Sequence, residues 1–220
     1  MRNLRKCAAL FLTAFTSVII LAGCSAPFDV AGFVRGNMDV IYLNKISESF
    51  LEMVEDTEEE LAAFFVEGLA SEAESLFYFF DIVEEMIPYK MKDETIELLR
   101  EIYGHSKYEI GNVTRAGDVF LVSVTIYPID IIHRVAEEDI DVFIESWSER
   151  WDRGEFDEVT DEEFETLWAR GILDLIHARL GSIGHLEPET ISVQVVIDSD
   201  NYYTISENDW IRIDNLIMLY

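Results

Sequence analysis

Few side chains in this sequence stand at spacings that could do chemistry. The pentapeptide Gly104-His105-Ser106-Lys107-Tyr108 opens like a nucleophile elbow, which raises a serine hydroxyl on a sharp strand-to-helix turn. Tyr108 stands where such a turn needs its second glycine, and the flanking patterns run from helix to strand, the reverse order. A serine hydrolase is therefore not expected. His105, His133, His177 and His185 would hold a metal only if three ligands converged, and no two of them have the spacing of a helical zinc motif. His177, near Ile172 and Leu173, is read as packed at the edge of an apolar helix. Asp198-Ser199-Asp200-Asn201 alternates oxygen donors as calcium loops do, but lacks the later glycine and distal glutamate. Asx residues are also what hairpin turns favour, and that reading prevails. The acidic runs 58–60 and 157–163 fall where helices begin, where carboxylates complement the macrodipole. With 44 Asp and Glu present, no pair is singled out for glycoside hydrolysis. No catalytic residue, metal site or cofactor is assigned.

Aromatic side chains offer more. Trp147 and Trp151 are four apart and share a helix face, forming either a platform for sugars or peptides or a core stripe, with the core reading favoured. Leu76-Phe77-Tyr78-Phe79-Phe80 is apolar around most of a helical turn, so some of its rings enter a core from two sides or remain as a contact patch. Phe77, Tyr78, Trp147 and Trp151 are the candidate binding residues.

The chain that positions them has 220 residues, half of them hydrophobic, which suits one well-buried core. Sixteen Lys and Arg against 44 acids give a net charge of −28, which phosphate backbones repel, so no nucleic-acid partner is expected. Arg2, Arg5 and Lys6 precede an uncharged stretch, 7–22, the pattern of a signal peptide. At about 1.5 Å per residue that stretch is about 24 Å long as a helix, short of the roughly 30 Å of a bilayer core. It ends in Leu21-Ala22-Gly23-Cys24, which resembles the lipobox of bacterial lipoproteins. The resemblance implies cleavage after residue 23 and a diacylglyceryl group on Cys24, whose two acyl chains suffice for stable anchoring. Loss of residues 1–23 would move the charge to −31 and remove Cys7, leaving no cysteine pair for a disulfide.

Residues 24–27 read as a short tether and 28–220 as a single α+β extracytoplasmic domain. Apolar steps of three or four over 34–54 predict an amphipathic helix, with Gly36 obscuring its start. The capping-box pattern at Thr57 and Glu60 opens a helix carried to Ile87 and stopped by Pro88. A third helix spans 93–103, closed by Gly104 in a left-handed conformation. Period-two alternation over 108–113 and 119–127 gives a hairpin, and 191–197 with 202–205 gives a second. Helices are expected over 135–151, from Thr160 to Leu180, and after a capping pattern at 206–209. Two isolated hairpins would be marginal, so they are paired into one four-stranded antiparallel sheet covered by helices.

The lipobox, the Phe28-Asp29-x-x-Gly32-Phe33-Val34 opening and the Tyr127-Pro128-Ile129-Asp130 end of the first hairpin together resemble uncharacterised surface lipoproteins of Gram-positive bacteria. Such families are compared with the nuclear-transport-factor-2-like group, which cradles a pocket between sheet and helices; a sheet of four strands departs from that fold. The resemblance implies a cell membrane location on the extracytoplasmic face. The function expected is a non-enzymatic binding domain for an envelope protein, peptide or small ligand, using an apolar surface between helices and sheet. The alternative is a cell-envelope hydrolase or small-ligand-binding protein with its site there.

Overall fold

A computed structural model describes residues 28–197 and 202–220. The leader, Cys24, the 24–27 tether and the 198–201 turn lie outside the described residues. The fold is α+β with one four-stranded antiparallel sheet in the order β1-β2-β3-β4, as the alternation predicts. The described residues form two compact units, and the chain passes between them repeatedly: residues 28–68, 106–128, 187–197 and 202–217 make the first, and 69–105, 129–186 and 218–220 the second.

In the first unit, β1 (Lys107–Ala116) and β2 (Val119–Tyr127) form a hairpin in which Ala116 faces Val119 across Gly117-Asp118. Gly117 has φ +68°, a conformation that costs glycine little. β3 (Glu189–Ile197) lies antiparallel to β2, with Val193 opposite Val122, and β4 (Tyr203–Ile205) pairs on its far side. Val122, Val124, Ile126, Val193 and Val195 are fully buried. On the opposite face the Thr125 and Thr190 hydroxyls meet at 2.8 Å. Helix α1 (Val30–Leu43) packs on β1 and β2, and α8 (Glu207–Ile217) on β2 and β3. Phe33, Val34, Met38, Ile213 and Ile217 of these helices are buried too, so the apolar face between helices and sheet is consumed in packing.

The 34–54 pattern is interrupted. Asn44 takes a left-handed conformation (φ 50°) and closes α1, Ser47 caps the short α2 (Glu48–Leu51), and Phe50 turns back onto α1. Its ring occupies the space a side chain at position 36 would fill: a Cβ on Gly36 would stand 2.1 Å from Phe50 Cδ2. Close approach of this ring is why a glycine sits inside the helix. At the start of α8, Ser206 Oγ accepts from the Asp209 N–H at 3.3 Å, but the buried Asp209 carboxylate reaches across to the Gln194 N–H of β3 at 2.8 Å. The expected cap thus also bolts the helix to the sheet.

Helix α3 (Glu58–Phe79) begins in the first unit and ends in the second. Its box forms as expected, with the Glu60 N–H donating to Thr57 Oγ1 and the Thr57 N–H to Glu60 Oε2. It stops well before Pro88. Asp81 adopts φ 53°, the Ile82 N–H returns to the Phe77 carbonyl at 2.8 Å and the Asp81 N–H to Tyr78, which is a Schellman closure with aspartate in the place usually held by glycine. Residues 84–86 form a single 3₁₀ turn, and α4 (Tyr89–Tyr103) starts directly after Pro88, earlier than the expected start at Asp93. Gly104 remains right-handed (φ −58°). Later in the second unit, α5 (Ile131–Arg134) runs through a π-helical turn, Val135–Asp139, into α6 (Ile140–Asp152), and α7 (Asp161–Arg179) follows with the full Thr160–Glu163 capping box. Arg179 grips Asp139 at 2.8 and 2.7 Å, holding the π turn against the end of α7.

Candidate functional site

The second unit gathers most of the tryptophan. Phe143, Trp147 and Trp151 recur every four residues on one face of α6, and Phe164 and Trp168 do the same on α7. Phe156, in the connection, stacks on Trp147 at 4.9 Å, while Phe164 and Trp168 meet Trp147 edge-on at 5.7 and 5.5 Å. The Arg150 guanidinium lies over the Trp147 and Phe156 rings at 4.6 and 4.8 Å and is held there by Glu155. Trp147 is 8% exposed and its buried Nε1 has no hydrogen-bond partner among the described residues, whereas Trp151, 61% exposed, touches Phe156 and Phe164 from outside. One tryptophan of the pair belongs to the core and the other forms a surface platform.

Phe77 and Tyr78 divide in the same way, Phe77 being buried and Tyr78 59% exposed. Among the described residues no ring contact joins either of them to Trp147 or Trp151. The four candidates are therefore not joined by ring stacking. Ser106 Oγ is buried with no hydrogen-bond partner, so its hydroxyl has no base beside it among the described residues. No group of three His, Cys, Asp or Glu there could hold a metal ion. His185 Nε2 is spent on the backbone carbonyl of His105 at 2.9 Å.

A groove of about 760 Å³ lies between the 84–88 turn and the first turns of α7. Met86, Ile87, Pro88, Val159 and Leu167 supply its apolar lining, and Glu85, Glu162, Glu163 and Thr166 the polar part. Met86 and Leu167 are 39% and 41% exposed, so each keeps apolar surface in water. The turn is fastened to α7 rather than loose: the buried Glu165 carboxylate accepts from the Val83 N–H at 2.6 Å, and Trp168 Nε1 donates to the Phe80 carbonyl at 2.9 Å. Lys92 and Glu84 pair at 2.8 Å just beyond it. Sequence reasoning missed this groove because it placed residues 80–87 inside a helix. The available signal was the Ile87-Pro88 step, which forces extended backbone before proline and so a change of direction.

No family model matches the chain, and no curated protein matches it. Among solved structures the α+β fold is shared with a crystal structure of ycdA from Bacillus subtilis subsp. subtilis str. 168, provisionally described there as a lipoprotein. The TM-score is 0.57 at 12% identity, over 87% of this chain and 56% of that one. At that identity the likeness is one of fold, and this chain spans little more than half the length of its neighbour.

Proposed function

We propose that the chain is a lipid-anchored binding protein of the cell envelope, held on the extracytoplasmic face by a diacylglyceryl group on Cys24 and contacting a partner through the groove beside α7. The observation that carries the anchor is the leader itself: three cations, an uncharged stretch too short to span, and Leu21-Ala22-Gly23-Cys24 at its end. Likeness in fold to ycdA supports the same reading. No helix among the described residues is long and apolar enough to cross a membrane. Two acyl chains at about 0.8 kcal/mol per buried methylene give an anchor that persists without one. The binding half of the proposal is supported by a preformed apolar groove on a surface otherwise dominated by carboxylates.

Growth of the native host with a radiolabelled fatty acid, followed by membrane fractionation, tests the anchor. Wild type is expected to carry label and sediment with membranes, and Cys24→Ala to lose the label. Equal labelling and equal membrane retention of both forms would refute it.

A further inference from the structure

We infer that the groove between the 84–88 turn and α7 receives a cationic amphipathic segment of another polypeptide, its apolar side chain on Met86 and Leu167 and its Lys or Arg side chains against Glu85 and Glu162. This rests on the reading of the chain as a binding protein and names the chemistry of its partner.

The apolar lining alone would accept many occupants; the rim narrows the choice. Neither Glu85 nor Glu162 makes an ion pair among the described residues, and Glu163 is engaged in the capping box. Neighbouring cations are already committed. Lys92 is held by Glu84 at 2.8 Å, and Lys90 and Arg170 both engage Glu94, at 3.5 and 2.6 Å. The positive end of the α7 macrodipole is offset by Asp161, Glu162 and Glu163 in its own first turn, so the helix start does not invite an anion. A second copy of the chain would bring one surface of net charge −28 against another, and an anionic lipid headgroup would meet the same repulsion. A neutral apolar molecule would fill the floor and leave the rim carboxylates without partners. An amphipathic helix with basic flanks satisfies both, and its apolar face lies naturally in a groove of this kind. At about 760 Å³ the groove has room for apolar side chains of such a segment. The ties from Glu165 and Trp168 mean that it exists before the partner arrives, which lowers the ordering cost of binding.

The test uses the full chain in nonionic micelles and a fluorescent amphipathic peptide of leucine and lysine about four helical turns long, read by anisotropy. Binding is expected to weaken as salt rises. Met86→Asp and Leu167→Asp should each lower affinity about tenfold or more, and Glu85→Gln combined with Glu162→Gln should lower it severalfold and flatten the salt dependence. Val142→Asp, at an exposed position of α6, should change nothing. All these positions are solvent-exposed, and unchanged thermal melts would show that each variant folds. Three results would overturn the inference: affinity indifferent to the groove substitutions, equal binding of a leucine–glutamate peptide of the same pattern, or equal binding of a lysine–serine peptide, which would mean charge without an anchor. Fatty-acid labelling of Cys24 is independent of all three, so a failed anchor and a failed groove are told apart.

Discussion

The two units use their aromatic and apolar side chains differently. In the first, the sheet and its helices close on each other completely: Phe33, Met38, Tyr42 and Phe50 are at most 1% exposed. In the second, the same kinds of residue form a gradient, with Trp147 inside, Phe164 half-buried, and Trp151, Met86 and Leu167 reaching water. The apolar face of an antiparallel sheet is stabilised by a cover of helices, whereas α6 and α7 lie side by side and can leave their outer turns bare. The comparison teaches that apolar side chains reach water more often in the second unit, where two of them, Met86 and Leu167, line the groove beside α7.

The sharpest way to break that comparison is to remove one ring from each unit. Phe50→Ala should cost about 3–5 kcal/mol in denaturant unfolding, because the ring fills the notch left by Gly36 and nothing flexible can replace it. Trp151→Ala should cost less than about 1 kcal/mol, since most of that side chain is already in water. Similar losses at the two positions would erase the distinction.

A second contrast is between a half-buried carboxylate and carboxylates held by surface arginines. Asp214 of α8 accepts from the Tyr42 hydroxyl, yet its withdrawal from water raises its pKa from 3.8 to about 6. The folded state therefore holds this proton more tightly than the unfolded chain. Its contribution favours folding fully below about pH 4 and is lost as pH rises through 6. Relative to Asp214→Asn, whose carbonyl can still accept from Tyr42, wild type should lose about 2 kcal/mol between pH 4 and pH 7. In the second unit, Glu94 and Glu155 shift the opposite way, held low by hydrogen bonds first from Arg170 and from Arg150 respectively, on the surface. Parallel stability curves for wild type and Asp214→Asn would remove the half-buried carboxylate from the account.

The smallest effect belongs to the cap that frames the groove. Thr160→Ala should cost about 1 kcal/mol by freeing the Glu163 N–H and releasing the Glu163 carboxylate. Because the Glu163 carboxylate would then be freed from the cap beside the groove, the leucine–lysine peptide should bind no more weakly than to wild type; loss of binding would mean that the capping geometry shapes the groove directly.

Legibility in the sequence followed the range of the forces involved. Both hairpins and their union into one sheet could be read because alternation of period two is written into neighbouring residues such as Val122, Val124 and Ile126. Capping at Thr57, Thr160 and Ser206 was equally local. The end of α3 was hidden. Its helical period runs on toward Ile87, no glycine marks the stop, and Asp81 takes the left-handed position under ties from Glu165 and Trp168, residues more than eighty positions away. The groove vanished with that error. Trp147 and Trp151 show the other limit: spacing places two residues on one face but does not say where along the helix the neighbour's cover ends. The reading of Cys24 is the reverse case: it rests on local residues alone and falls outside the described structure.

Hydroxyl-radical footprinting of the full chain, with and without the leucine–lysine peptide, tests most directly whether contact surface is confined to α7 and the 84–88 turn. Free protein should label at Met86, Leu167, Tyr78 and Trp151 and spare Phe33 and Phe50. With peptide bound, Met86 and Leu167 should be protected while Tyr78 and Trp151 keep their labelling. Protection on the strands or at Tyr78, with Met86 and Leu167 unchanged, would contradict the account.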